Sequence, residues 1–271
     1  MKKITLGSLV LVSLLGAAGC GTDEPMTLTY EEFRAQAAYD AETDTYVIDG
    51  DQLVENEAQM RQMYERFLAS VNAVESGLRT VQQGLIVNTV GGADDKWNAS
   101  QAANLTYCVS SKSFGSNYAA VVAAMNAATA DWESSARVNF VHSSSLDGNC
   151  SSRSNVVFNI RSVRTSQYLA RAFFPSTSRR GREILISTSS FGNINPWTLT
   201  GILRHELGHT IGFRHEHTRP ESGVCFEDNN WRALTTYDSA SVMHYPQCNG
   251  TQNGDLTLTA RDRAGAAALY P

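Results

Sequence analysis

The chain has 271 residues, of which 42% are hydrophobic and 18% charged, with a formal net charge of -5. That is long and apolar enough for one good core plus an accessory segment, and it excludes a disordered or repetitive chain. The acidic balance disfavours a nucleic-acid partner on electrostatic grounds.

Lys2 and Lys3 open the chain, followed by an apolar run over residues 4–18 and the small residues Gly16, Ala17, Ala18 and Gly19. This is the pattern of a signal peptide over residues 1–19, too short for a permanent membrane span. Ala17-Ala18-Gly19-Cys20 is similar to a bacterial lipobox. Cys20 is therefore a candidate lipidation site in the cell envelope, the one route to membrane contact, with plain secretion after Ala18 or Gly19 as the other reading. Apart from Cys20, the chain holds Cys108, Cys150, Cys225 and Cys248, an even set in an exported protein, where disulfides form and persist. Three pairings are open, and the sequence-local one joins Cys108 to Cys150 and Cys225 to Cys248. No C-x-x-C spacing occurs, which argues against zinc on these thiols.

Thr29-Tyr30-Glu31-Glu32 has a capping-box pattern and predicts a short helix. Apolar residues at 53, 60, 63, 64, 67, 68, 71, 74, 78 and 81 fall three or four apart, the spacing of a long amphipathic helix from about Gln52 to Gln83. Gly91-Gly92-Ala93-Asp94-Asp95-Lys96 then breaks the pattern as a linker. Beyond it, strands are expected over 105–110, 138–141, 156–161, 169–174 and 184–187, with a helix over 118–132. A second helix is expected after Asn195-Pro196, running to about Ile211. Thr259-Ala260-Arg261-Asp262 caps a last, Ala-rich helix ending near Leu269. The expected organisation is a helical region over 20–95 joined to an α+β catalytic domain over 96–271. Arginines 161, 164, 171, 179, 180 and 182 read either as a solvated surface or as a basic rim that attracts acidic substrate side chains.

His205-Glu206-Leu207-Gly208-His209-Thr210-Ile211-Gly212-Phe213-Arg214-His215 spells H-E-x-x-H-x-x-G-x-x-H without a mismatch. On a helix, positions i and i+4 share a face, so His205 and His209 can present two imidazoles to one Zn²⁺ while Glu206 flanks the bound water. Gly212 can take positive φ, end the helix and swing His215 back as a third ligand. Three protein ligands leave the fourth position to water, which is the mark of a catalytic rather than a structural zinc site. One catalytic ion is expected. No calcium loop of the D-x-D-x-D-G type is apparent.

Ser241-Val242-Met243-His244-Tyr245 follows 26 residues beyond His215. With the long histidine motif, it resembles the metzincin metallopeptidases, and among them the astacin-like branch. More narrowly, Leu105-Thr106-Tyr107-Cys108, Arg204 to His209 and Ser241 to Cys248 look like the bacterial dual-action HEIGH metallopeptidases, a likeness that spans residues 95–271. The resemblance implies a metzincin-like domain with a mixed twisted sheet, a long active-site helix, a Met-turn and a C-terminal helix. It implies Met243 as the floor of the site, and Tyr245 as a ligand of the resting metal that swings away to hydrogen-bond the oxyanion. Glu216 and Arg219 extend the likeness. In astacins that glutamate meets the new N-terminus of the mature enzyme, although Pro220-Glu221-Ser222-Gly223 departs from the pattern after the arginine.

Ile48-Asp49-Gly50-Asp51 resembles the F-x-G-D element by which astacin pro-segments place a carboxylate on the zinc, so Asp51 is a candidate zymogen switch released by a cut near residues 90–98. An ordinary Asp-Gly turn is the other reading. The expected activity is zinc-dependent endopeptidase hydrolysis of a polypeptide lying along an edge strand, either 169–174 or 184–187, with Glu206 as base and then acid. An inactive zinc-binding envelope lipoprotein acting as an adhesin, and a zinc hydrolase of small esters or amides, are the rivals. Glu206 is dispensable for binding metal yet present, which disfavours the first.

Overall fold

A computed structural model describes residues 28–75 and 85–271. The expected signal peptide and the lipidation site at Cys20 lie outside the described residues. Among those described, no helix is long and apolar enough to cross a membrane.

The chain begins with α1 (Tyr30–Arg34), capped by Thr29 in the expected box, followed by β1 (Ala38–Asp40), β2 (Thr45–Ile48), β3 (Gln52–Val54) and α2 (Glu57–Glu75). The region is therefore mixed rather than helical: an antiparallel meander occupies 38–54, and its third strand takes the first residues of the expected long helix. Asp44 and Asp49 adopt positive φ and supply the turns between strands. Phe33, Ile48, Val54 and Met60 close a small core of their own between the meander and the helices.

The main domain carries β4 (Ile86–Val90), β5 (Ala93–Asp94), α3 (Ala99–Ala102), β6 (Leu105–Val109), α4 (Ser111–Phe114), α5 (Tyr118–Glu133), β7 (Phe140–His142), β8 (Phe158–Val163), β9 (Ala170–Arg171), β10 (Glu183–Ser187), α6 (Leu199–Thr210), β11 (Trp231–Ala233) and α7 (Ala260–Leu269). Five strands form the central sheet in the order β7-β6-β8-β10-β9, parallel except for β9, which runs antiparallel at the edge. Of the two segments expected to border a substrate, 169–174 thus holds the edge and 184–187 is internal. Tyr107, Phe158, Ile160 and Ile186 of the sheet share one core with Met125 and Trp132 of α5 and Leu203 and Leu207 of α6. The α+β architecture matches the expectation, with an active-site helix and a C-terminal helix in place.

The boundary expected at residue 95 falls inside a packed sheet. Strand β4, ahead of it, pairs with β11, more than 140 residues later in the chain, and Leu85, Ile86 and Val87 are buried. The Asn88 N–H also donates to the Gly212 carbonyl at 2.8 Å. The expected linker is the tight turn between β4 and β5, built on positive-φ glycines 91 and 92. The N-terminal meander docks on the domain through Val47, which packs with Val163, Tyr168 and Leu185.

Candidate metal centre

Helix α6 starts later than expected. The Thr198 hydroxyl accepts from the Gly201 N–H at 2.9 Å, so the helix begins at Leu199 rather than at Pro196. Its entire second half is buried. Gly212, at φ 101°, turns the chain out of the helix, and a Cβ there would lie 2.3 Å from the Asp95 carbonyl oxygen. Only glycine satisfies both demands. The turn brings His215 back beside His205, with Nε2 atoms 3.3 Å apart.

Each histidine is oriented from behind. His205 Nδ1 lies 2.7 Å from the Val242 carbonyl, His209 Nδ1 2.8 Å from the Phe213 carbonyl, and His215 Nδ1 2.6 Å from Glu227 Oε1. These acceptors favour the Nδ1–H tautomer, which turns the Nε2 atoms inward at one another; at His215 burial is outweighed by the carboxylates of Asp51 and Glu227, which hold the imidazole well above its usual range and so favour positive charge at this point. Lone pairs facing across such short gaps repel unless a cation sits among them. His209 Nε2 is buried without a hydrogen-bond partner, and burial pushes this imidazole down to about 4, keeping it neutral as a ligand must be. The donor set therefore fits zinc, which His205, His209 and His215 would hold.

Asp51 is the fourth group at this point. Its carboxylate lies 3.1 Å from His205 Nε2, 3.1 Å from His215 Nε2 and 3.6 Å from His209 Nε2, and the Tyr245 hydroxyl donates to it. The four ligand atoms all fall within 4.8 Å of one another. Gly50 permits this approach at φ 95°, with Tyr245 ring atoms 3.2 Å from where its Cβ would stand. Asp51 and Gly50 line a cavity of about 270 Å³ together with His205, Glu206, Tyr245 and Ala170 of the edge strand. Burial, reinforced by Asp51, holds the Glu206 carboxyl well above the usual carboxylate range.

Met243 lies directly under α6, its Sδ 2.4 Å from where a Gly208 Cβ would be, so a side chain at 208 would displace it. The turn that carries it is held by Asp262 at the start of α7, which accepts from the Ser241 hydroxyl at 2.5 Å and from the Val242 N–H at 2.9 Å. The fully buried Glu216 braces the same turn: its N–H donates to the Met243 carbonyl at 2.8 Å and its Oε1 accepts from the Asp238 N–H at 3.0 Å.

The sequence had not singled out Glu227, Arg214, Asp228 or Gln52. Arg214, immediately before His215, donates to Glu227 at 2.6 Å and pairs with Asp228, fixing the carboxylate that orients His215. Gln52 of the N-terminal region donates to Glu227 at 2.8 Å. Beside it, Gln52 forms a parallel bridge to Ala172 at the sheet edge. The only signal for Glu227 was its place in the loop stapled by Cys225 and Cys248. Both sequence-local disulfides are present, each with Cα atoms 5.7 Å apart, as suits an oxidising compartment.

Residues 92–230, just over half of the chain, match the family model described as "Dual-action HEIGH metallo-peptidase". Among curated proteins, the chain is 41% identical over 64 residues to the bone morphogenetic protein 1 homolog of Strongylocentrotus purpuratus, covering 17% of this chain and 10% of that protein. It is 38% identical over 74 residues to embryonic protein UVS.2 of Xenopus laevis, covering 21% and 14%. The chain thus spans about a tenth to a seventh of the length of these relatives. Among solved structures, the high choriolytic enzyme 1 of Oryzias latipes, a hatching enzyme zinc-protease, aligns over 68% of this chain and 98% of its own at 20% identity, with a TM-score of 0.43.

Proposed function

Because the chain belongs to the dual-action HEIGH metallo-peptidases, we propose that it is a zinc-dependent endopeptidase, made with its N-terminal region blocking the site. The observation that carries this reading is the convergence of three Nε2 lone pairs beside Glu206 in a cleft bordered by a sheet edge. Bound Zn²⁺ would acidify water and polarise the scissile carbonyl. Glu206 takes the proton of the attacking water and returns it to the leaving amine. The Tyr245 hydroxyl, now given to Asp51, is free after release to donate to the oxyanion. Ala170 and Ala172 offer the free edge of β9 to an extended peptide by strand addition.

In the intact chain Asp51 takes the ligand position, Gln52 occupies the sheet edge, and both must leave together. The pro-region accordingly ends ahead of Leu85, since a cut at 90–98 would remove β4 from the core. Residues 1–19 act as the export signal, and Cys20 as the lipid-bearing N-terminus in the bacterial envelope. The test is cleavage of casein or labelled peptides after limited removal of the N-terminal region, with wild type and Glu206→Ala, with and without chelator. Wild type that cuts nothing with zinc restored ends the peptidase reading.

A further inference from the structure

We propose that Arg171, with Arg161 and Arg180, forms a recognition site for an acidic side chain of the peptide substrate, and that the N-terminal region fills this site with its own carboxylates until it departs. The inference rests on the peptidase reading and deepens it by naming a substrate class.

Arg171 stands on the edge strand, next to Ala170, which lines the catalytic cavity. Its side chain is 2% exposed, yet the guanidinium is poorly served. Nη2 reaches the hydroxyls of Thr43 and Thr45 at 3.3 and 3.5 Å, while Nε and Nη1 make no hydrogen bond and the Asp40 carboxylate stands 4.0 Å away. A buried arginine with five donors is stable only with strong acceptors, and a carboxylate is the group whose geometry matches its fork. Asp40, Thr43 and Thr45, which approach it, come from the N-terminal region, while the Tyr168 hydroxyl beside it belongs to the main domain.

A cavity of about 500 Å³ opens here, with Arg161, Arg171 and Arg180 in its wall. Its carboxylates are Glu42, Asp44 and Glu55 from the N-terminal region and Glu183 from β10. With the N-terminal region in place, acid outnumbers base. Once it leaves, three arginines face Glu183 alone, and Glu183 is already taken by Asn159 at 2.7 Å and Arg161 at 3.3 Å. Arg161 also loses its pair with Glu42. The same event that frees the zinc ligands therefore turns this wall from anionic to cationic. A peptide laid along the free edge of β9 sends alternate side chains to its two faces, and one of those faces is this wall.

The experiment profiles cleavage of a peptide library by the processed, zinc-loaded enzyme, comparing Asp and Glu with Asn and Gln at each position around the cut. The wild type should favour acid over amide by about tenfold in kcat/KM at one position, the effect of one hydrogen bond to a charged group. R161E/R180E, which alters the less buried members of the wall, should bring that ratio to one or below, and R171Q should lower it. Cleavage by the wild type without acid preference, or a preference unchanged in R161E/R180E, overturns the assignment while leaving the peptidase reading intact. No cleavage of any peptide defeats both.

Discussion

Glu227→Gln separates the support of the metal site from the site itself. Of the three acceptors that orient the ligand histidines, two are backbone carbonyls that no substitution can remove, and the third is this carboxylate at 2.6 Å from His215 Nδ1. Its Oε2 accepts from both Arg214 and Gln52, so every direction around Glu227 holds a donor. Glutamine keeps the shape but must turn its amide N–H₂ toward one of those donors. Loss of a carboxylate behind a ligand histidine costs about 10- to 100-fold in metal affinity. Because Glu227 shares its charge with Arg214, the lower end is expected, about tenfold or ~1.4 kcal/mol. Arg214 keeps Asp228, so the structural cost is that of one charge-assisted hydrogen bond, about 1.5–3 kcal/mol. Zinc affinity is read by competition with a chromogenic chelator, and thermal unfolding in excess chelator isolates the structural part. A zinc affinity within twofold of wild type, alongside a lowered Tm, would refute the positioning role of Glu227.

Glu206→Ala should retain zinc in the same competition assay while losing at least about 100-fold in peptide cleavage, and comparable cleavage would remove Glu206 from the chemistry. Asp51→Ala should raise cleavage by the full-length chain above that of wild type yet leave it below the processed one, because Gln52 still covers the sheet edge, and equal latency in variant and wild type would count against the switch. Gly208→Ala pushes a methyl into Met243 Sδ and should cost about 1–3 kcal/mol by overpacking, seen as a lowered Tm; no change would mean the floor yields freely. Chelation should lower the Tm and zinc should restore it, by about 4 kcal/mol when free zinc is 1,000 times its dissociation constant. A transition blind to chelator would show that the histidines hold no ion.

The centre of the site was legible because its spacing is local. His205, Glu206 and His209 sit on one helix, and Gly212 announces the turn that returns His215. Met243 and Tyr245 were readable only through family likeness, since nothing in their spacing says that they pass beneath α6. Glu227 gave no such signal: it reaches His215 through a loop without regular structure. The meander over 38–54 was missed because its strands are three or four residues long, too short for a period to emerge against the helical spacing that follows. The domain boundary was misplaced because the glycine pair at 91 and 92 looks like a linker, while the partner that buries β4 is β11, far along the chain. Arginine 171 was visible in the sequence as part of a basic group, but not its burial against the carboxylates of the N-terminal region.

The Cys225–Cys248 bridge closes a ring over a separation of 23 residues, and that ring carries Glu227, Met243 and Tyr245 together. Closing a loop of that size removes about 3 kcal/mol of freedom from the open chain. Helix α6 places the backbone of His205 and His209, whereas the Val242 carbonyl behind His205, the Glu227 brace behind His215, Met243 and Tyr245 all lie within the ring. Zinc binding is therefore expected to depend on this bridge: with both thiols reduced, the chain should bind zinc more weakly in the competition assay.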